Sequence, residues 1–187
     1  MSISVVNNIF LQEEIDSIYE RIKTKEPVLD TELGRVVFYN ALEVLDYDAI
    51  SRLSNIVKNI TDLPLTIFDA AYVEYNSLYG KPNLPPHFDG DSSDLIITIQ
   101  VESNVDWALG LNLETYHLKD NSALIFNQNK EIHWRVHKEF NDGDYVRMFF
   151  VRLCNPENMS DYSHLRLNQN DDVFKDVVKF RDSLGTF

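Results

Sequence analysis

Residues 122–153 read SALIFNQNKEIHWRVHKEFNDGDYVRMFFVRL, and their pattern decides the fold class. Three runs stand out: SALIFN (122–127), IHWRVH (132–137) and YVRMFFVRL (145–153). Each is short and rich in β-branched or aromatic residues, and the break Asn141-Asp142-Gly143-Asp144 has the composition of a turn. The same texture continues upstream in WALGLNLETYHL (107–118), LIITIQV (95–101) and FDAAYVEYNSLYG (68–80), the last ending at the turn residue Gly80. Lys119-Asp120-Asn121-Ser122 marks a further break. Six closely spaced strands with no helix between them predict a mainly β core of sandwich or jelly-roll type, not a parallel α/β sheet.

Helices flank this core. LQEEIDSIYERIKT (11–24) places Leu11, Ile15, Ile18, Tyr19 and Ile22 at three- and four-residue spacing, with acidic residues early and Arg21 and Lys23 late, as the helix dipole favours. LDTELGR (29–35) reads as a loop turning at Gly34. A second helix is expected from Asp46 to about Ile60, burying Ile50, Leu53, Ile56 and Val57, and a closing one in DDVFKDVVKFRDSL (171–184). The chain reads as one domain over 1–187, with helical support in 1–65, the β core in 66–153 and a helical C-terminal extension in 154–187.

Composition narrows the partners. A formal net charge of -13, from 17 basic and 30 acidic residues, disfavours nucleic acid and anionic membrane, since Lys and Arg are scattered and not gathered. A small molecule or a peptidyl substrate is the better expectation. The sequence contains no window resembling a membrane span, and its single cysteine, Cys154, cannot form an internal disulfide; both suit the cytoplasm. Nothing in the sequence fixes the oligomeric state.

The chemistry rests on His87-Phe88-Asp89, followed 46 positions after His87 by His133. In extended backbone, alternate side chains share a face, so His87 and Asp89 address one point; a helix would set them roughly 200° apart. Pro85 and Pro86 favour the extended form, because a proline keeps its predecessor out of the helical region. A second histidine completes a two-His-one-carboxylate set, which holds iron(II) on one face and leaves the other open. His133 is preferred because it comes directly off the apolar run 122–127, with His137 as the alternative. His117 and His164 sit in polar contexts and are not expected to take part.

Arg147 shares a strand face with Tyr145, Phe149 and Val151, where a guanidinium needs an anionic partner. That partner is either a protein carboxylate or a dicarboxylate ligand, which a rigid donor fork suits. Arg152, of opposite parity, is expected to face solvent.

Together these residues resemble the iron(II)- and 2-oxoglutarate-dependent dioxygenases of the prolyl-hydroxylase-like branch. The segments YNSLYGKPNLPPHFD (75–89), LKDNSALIFNQNKEIHWR (118–135) and GDYVRMFFVRL (143–153) are similar to the ligand-bearing strands of that family. The resemblance covers about residues 66 to 153 and implies a double-stranded β-helix, cupin-like, with the metal inside its mouth. It implies His87, Asp89 and His133 as Fe(II) ligands and Arg147 as the anchor for the distal carboxylate of 2-oxoglutarate, with Tyr72 or Tyr75 adding a phenolic hydrogen bond. It further implies O2 as co-substrate and hydroxylation with release of succinate and CO2. Asp89 argues against halogenation, which needs a small residue at that position.

The family pattern departs at one interval. Its co-substrate Arg or Lys follows the second His by about ten residues, whereas Arg147 follows His133 by 14 and His137 by ten. Ile97, Ile99 and Phe149 are the expected apolar lining, and Trp134, Arg135 and Arg35 are candidate substrate contacts. For Arg135 an ordinary ion pair is the competing expectation. The other classes open to the sequence are a metal-binding cupin that does not use 2-oxoglutarate and a non-catalytic jelly-roll module.

Overall fold

The computed structural model describes residues 3–89, 93–128, 130–158 and 172–185. Along the chain run β1 (Ser4–Asn7), α1 (Gln12–Ile22), β2 (Val28–Asp30), β3 (Arg35–Phe38), α2 (Tyr47–Ile60), β4 (Thr66–Asn76), β5 (Leu95–Ser103), β6 (Leu109–Leu111), β7 (Glu114–Tyr116), β8 (Ser122–Phe126), β9 (His133–Arg135), β10 (Tyr145–Cys154) and α3 (Asp172–Ser183). Seven strands form one antiparallel sheet in the order β1-β8-β5-β10-β4-β3-β2, and three form a second in the order β7-β6-β9.

The large sheet is covered on both faces, which explains why its strands read as apolar runs and not as clean alternation. One face takes α1 and α2: Ile15, Ile18, Leu53 and Val57 pack there on Tyr72, Ile97, Ile99 and Phe149. Each such fully buried side chain contributes about 1.5–3 kcal/mol by leaving water. Asp46 caps α2 by accepting from the Ala49 N–H at 2.8 Å. The opposite face looks across a cavity to the small sheet.

The small sheet is held from outside by α3. Val177 is buried with Ile132, Trp134 and Val136, and the Phe180 ring meets Trp134 edge to face at 6.0 Å. Gly110 of β6 makes room for this layer, since a Cβ there would lie 2.1 Å from the Trp134 indole.

The sequence expectations hold for the three helices and the β core. Three differences have local causes. The run 107–118 is not one strand but the hairpin β6–β7, turned at Asn112 in the left-handed region (φ 51°). The segment 29–35 is not simply a loop, because β2 and β3 form a hairpin through the Gly34 turn (φ 58°). β1 adds an edge strand beside β8 that so short a run did not signal.

Candidate metal centre

The segment after the Leu84-Pro85-Pro86 run pairs with β9. Arg135 N–H donates to the Leu84 carbonyl at 2.9 Å, and His87 and His133 exchange backbone hydrogen bonds at 3.1 and 3.0 Å. Direct antiparallel pairing places the two imidazoles side by side, with ring centroids 4.1 Å apart. Asp89, two residues on, returns to the same face. Its Oδ1 lies 3.4 Å from His87 Nε2 and 3.5 Å from His133 Nε2, and ligand atoms of all three fall within 4.8 Å of one another. Ligands about 2.1 Å from one ion and at right angles to each other would be roughly 3 Å apart, so the set fits a single divalent metal.

Protonation also suits a metal. His87 Nδ1 is 2.7 Å from the Pro85 carbonyl, so Nδ1 is the donor to that oxygen and Nε2 is the nitrogen turned toward Asp89. Burial and the neighbouring His87 lower the His133 pKa, outweighing the pull of Asp89. Burial alone would raise Asp89, but the charges and hydrogen bonds of His133 and His87 hold its carboxyl well below the usual range. His137 stands apart, its Nε2 3.3 Å from Asp182 on the outer side, and His117 pairs with Asp106. His164 lies outside the described residues.

The three candidate ligands open into a cavity of about 300 Å³ between the sheets. From the large sheet it is lined by Ala71, Val73 and Tyr75 of β4, Ile96 and Thr98 of β5, and Phe150 and Arg152 of β10. β9 contributes Arg135, two residues beyond His133 on the same face.

Several expected site residues belong elsewhere. Arg147 does not reach the cavity. It points to the helix side, where Nε donates to Glu74 at 2.9 Å and Nη1 to Glu102 at 2.6 Å, between the rings of Tyr19 and Tyr145. Tyr72 is on that side too, against Phe38 and Phe149. Ile97, Ile99 and Phe149 are likewise core under the helices, so the expected lining is corrected to Ile96, Thr98 and Phe150. Arg152 has the opposite parity, as read, but its face is the cavity and not solvent. Of the pair Tyr72 and Tyr75, it is Tyr75 that lines the cavity, and its hydroxyl accepts from Arg35 Nη1 at 3.3 Å.

Arg135 is the residue whose role the sequence left undecided. It is 2% exposed, stacks over Trp107 at 5.0 Å, and donates to the Trp107 carbonyl and to Met148 Sδ. No carboxylate among the described residues pairs with it, and burial pushes its pKa down to about 10. A buried guanidinium holding so few of its five donors in use is disposed to receive an anion. Thr98 also presents a hydroxyl without a hydrogen-bond partner among the described residues.

α3 reaches both ligand-bearing segments. Arg181 donates through Nε to the Arg135 carbonyl at 2.9 Å and through Nη2 to Asn83, while Phe174 lies 6.4 Å from Phe88, the residue between two ligands.

No family model matches the sequence, and no curated protein matches it. Solved structures do. SnoN, a non-haem alpha ketoglutarate dependent epimerase from nogalamycin biosynthesis, matches with a TM-score of 0.64 at 11% identity, over 82% of this chain and 77% of its own. HygX from Streptomyces hygroscopicus, solved with nickel, 2-oxoglutarate and hygromycin B, gives 0.59 at 11%, over 80% and 81%. A prolyl hydroxylase from Trichoplax adhaerens, bound to a hypoxia inducible factor peptide fragment, gives 0.58 at 10%, over 87% of each chain. The fold of this chain is therefore that of the 2-oxoglutarate oxygenases, the double-stranded β-helix with helical support. Among the described residues no helix is long and apolar enough to cross a membrane.

Proposed function

We propose that this protein is an Fe(II)- and 2-oxoglutarate-dependent oxygenase that hydroxylates a small-molecule or peptidyl substrate and releases succinate and CO2. The observation that carries the reading is one cavity with His87, Asp89 and His133 in it and the guanidinium of Arg135, which has no carboxylate partner among the described residues, lining the same space. A ferrous ion held by the three ligands would supply oxygen activation and a seat for the keto acid, since a facial set leaves coordination positions open.

The chain's own residues do the rest. His87 and His133 offer Nε2, the former because Pro85 keeps Nδ1 protonated. Arg135 binds the distal carboxylate of 2-oxoglutarate through a charge-assisted hydrogen bond that replaces its lost hydration. Tyr75 helps: its oxygen already accepts from Arg35, so its own proton is free to turn to the same carboxylate. Thr98 offers a further hydroxyl. Val73, Ile96 and Phe150 line the path with apolar surface, excluding water from the reacting carbon. The lone thiol of Cys154 and a ferrous cofactor fit a reducing, cytoplasmic setting. The acidic surface disfavours nucleic acid as substrate.

The test is spectroscopic. Fe(II) and 2-oxoglutarate, added without oxygen, should give a visible metal-to-ligand charge-transfer band that Asp89→Ala and His133→Ala abolish. Under oxygen, succinate should be released. Metal binding without any response to 2-oxoglutarate would instead point to a cupin enzyme of another kind.

A further inference from the structure

The inner face of β10 reads Met148, Phe150, Arg152, each two residues from the next. At about 3.4 Å per residue, Arg152 stands roughly 14 Å along the strand from Met148. Met148 marks the Arg135 end, its Sδ 3.3 Å from the guanidinium. Arg152 marks the metal end: it pairs with Ile96, which pairs with Phe126, whose ring is 5.4 Å from that of His133. Resting on the oxygenase reading, the co-substrate spans Arg135 to the metal, and Arg152 flanks what remains of the cavity.

The surroundings of Arg152 leave it partly unused. Among the described residues it donates one hydrogen bond, from Nη1 to Asp69 Oδ2 at 2.6 Å, directly across the β4 pairing. Its side chain is 30% exposed, and Asp69 is similarly open. Beside that pair β4 bulges at Phe68, where the register against β10 shifts, and such bulges commonly re-aim side chains near a site. Arg152 shares the cavity lining with two further guanidiniums, Arg35 and Arg135, and so many cations beside a divalent ion are electrostatically disfavoured unless anions join them. Asp69 meets that need in part and engages one nitrogen only; the remaining donors form the fork that carboxylate, sulfonate and phosphate groups fit.

We propose that Arg152 is a specificity-determining residue, and that the substrate is a small molecule bearing a carboxylate, sulfonate or phosphate group. The guanidinium receives that group while Asp69 holds it in place. The substrate is thereby positioned by its charge, and the carbon to be oxidised is turned toward the metal.

The test uses full-length protein loaded with Zn(II) and saturating 2-oxoglutarate. Short alkyl carboxylates, sulfonates and phosphate monoesters are titrated by ligand-observed NMR, each beside its amide, sulfonamide or alcohol. At least one anion class should bind tenfold or more tightly than its uncharged partner, and the preferred class names the group. Arg152→Gln should remove that preference and Arg152→Lys keep part of it, while 2-oxoglutarate affinity, which also reports folding, stays within threefold for both. Equal binding of charged and uncharged partners, or a preference that survives Arg152→Gln, overturns the proposal alone. Failure of wild type to bind 2-oxoglutarate sinks the oxygenase reading and this inference with it.

Discussion

The two faces of the large sheet each hold arginine, on opposite terms. On the helix side Arg147 is matched in charge: two carboxylates take its Nε and Nη1, two tyrosine rings cover its faces, and Glu74 and Glu102, with the nearby Tyr72, carry its pKa above the ordinary value against the effect of burial. On the cavity side Arg135 is more deeply buried, has no carboxylate partner among the described residues, and is pushed the other way. A structural guanidinium arrives with its anions supplied by the fold. One meant for a ligand is left short of them, and the deficit is visible before any ligand is bound.

That contrast can be broken by experiment. The largest effect belongs to the metal: Asp89→Ala should weaken Fe(II) by more than about 100-fold in a metal titration and erase the charge-transfer band. Next, Arg135→Met should raise the Kd for 2-oxoglutarate by about 100-fold in equilibrium titration, from loss of a buried charge-assisted contact. The same variant should leave the metal-free protein as stable as wild type or more so, because an uncompensated buried charge is gone. Arg147→Met should do the reverse. Its 2-oxoglutarate Kd should stay within threefold, while urea unfolding shows a loss of about 1–2 kcal/mol, held to that size by the partial exposure of the cluster. If Arg147→Met cost 2-oxoglutarate binding and Arg135→Met did not, the assignment of the two faces would be inverted.

The smallest effect is in pH. His133 and Asp89 both sit below their ordinary values in the metal-free protein, so unfolding takes up protons as the pH falls. Stability should be fully present above about 6.5, decline below it through His133, and decline again below about 3.8 through Asp89. Comparing urea midpoints at pH 7.5 and 5.5, wild type should fall further than His133→Gln.

Much of this was legible in the residues. The β-rich run, the periodicity of the helices, and His87 and Asp89 in an extended proline-led segment all carried their own local signals. The faces of β10 did not. In YVRMFFVRL both parities are apolar and both are buried, so alternation cannot say which side meets helices and which meets the cavity. The resemblance places Arg147 and Tyr72 at the co-substrate and Ile97, Ile99 and Phe149 in the lining, and alternation along these strands offers nothing to oppose it. Once His133 is chosen, parity does carry Arg135 along with it, two residues on, and this was the signal available for the anchor. What it could not reveal was that no carboxylate among the described residues forms an ion pair with it.

Synthesis of the chain adds a timing to the site. All three ligands are made by residue 133, yet the contacts from Arg181 and Phe174 that brace them come from the thirteenth element, α3. A ribosome therefore releases the liganding segments well before it releases their clasp. Trimming or fusing the polypeptide at that helix should show first as iron leakage, with the circular dichroism of the remaining fold little altered.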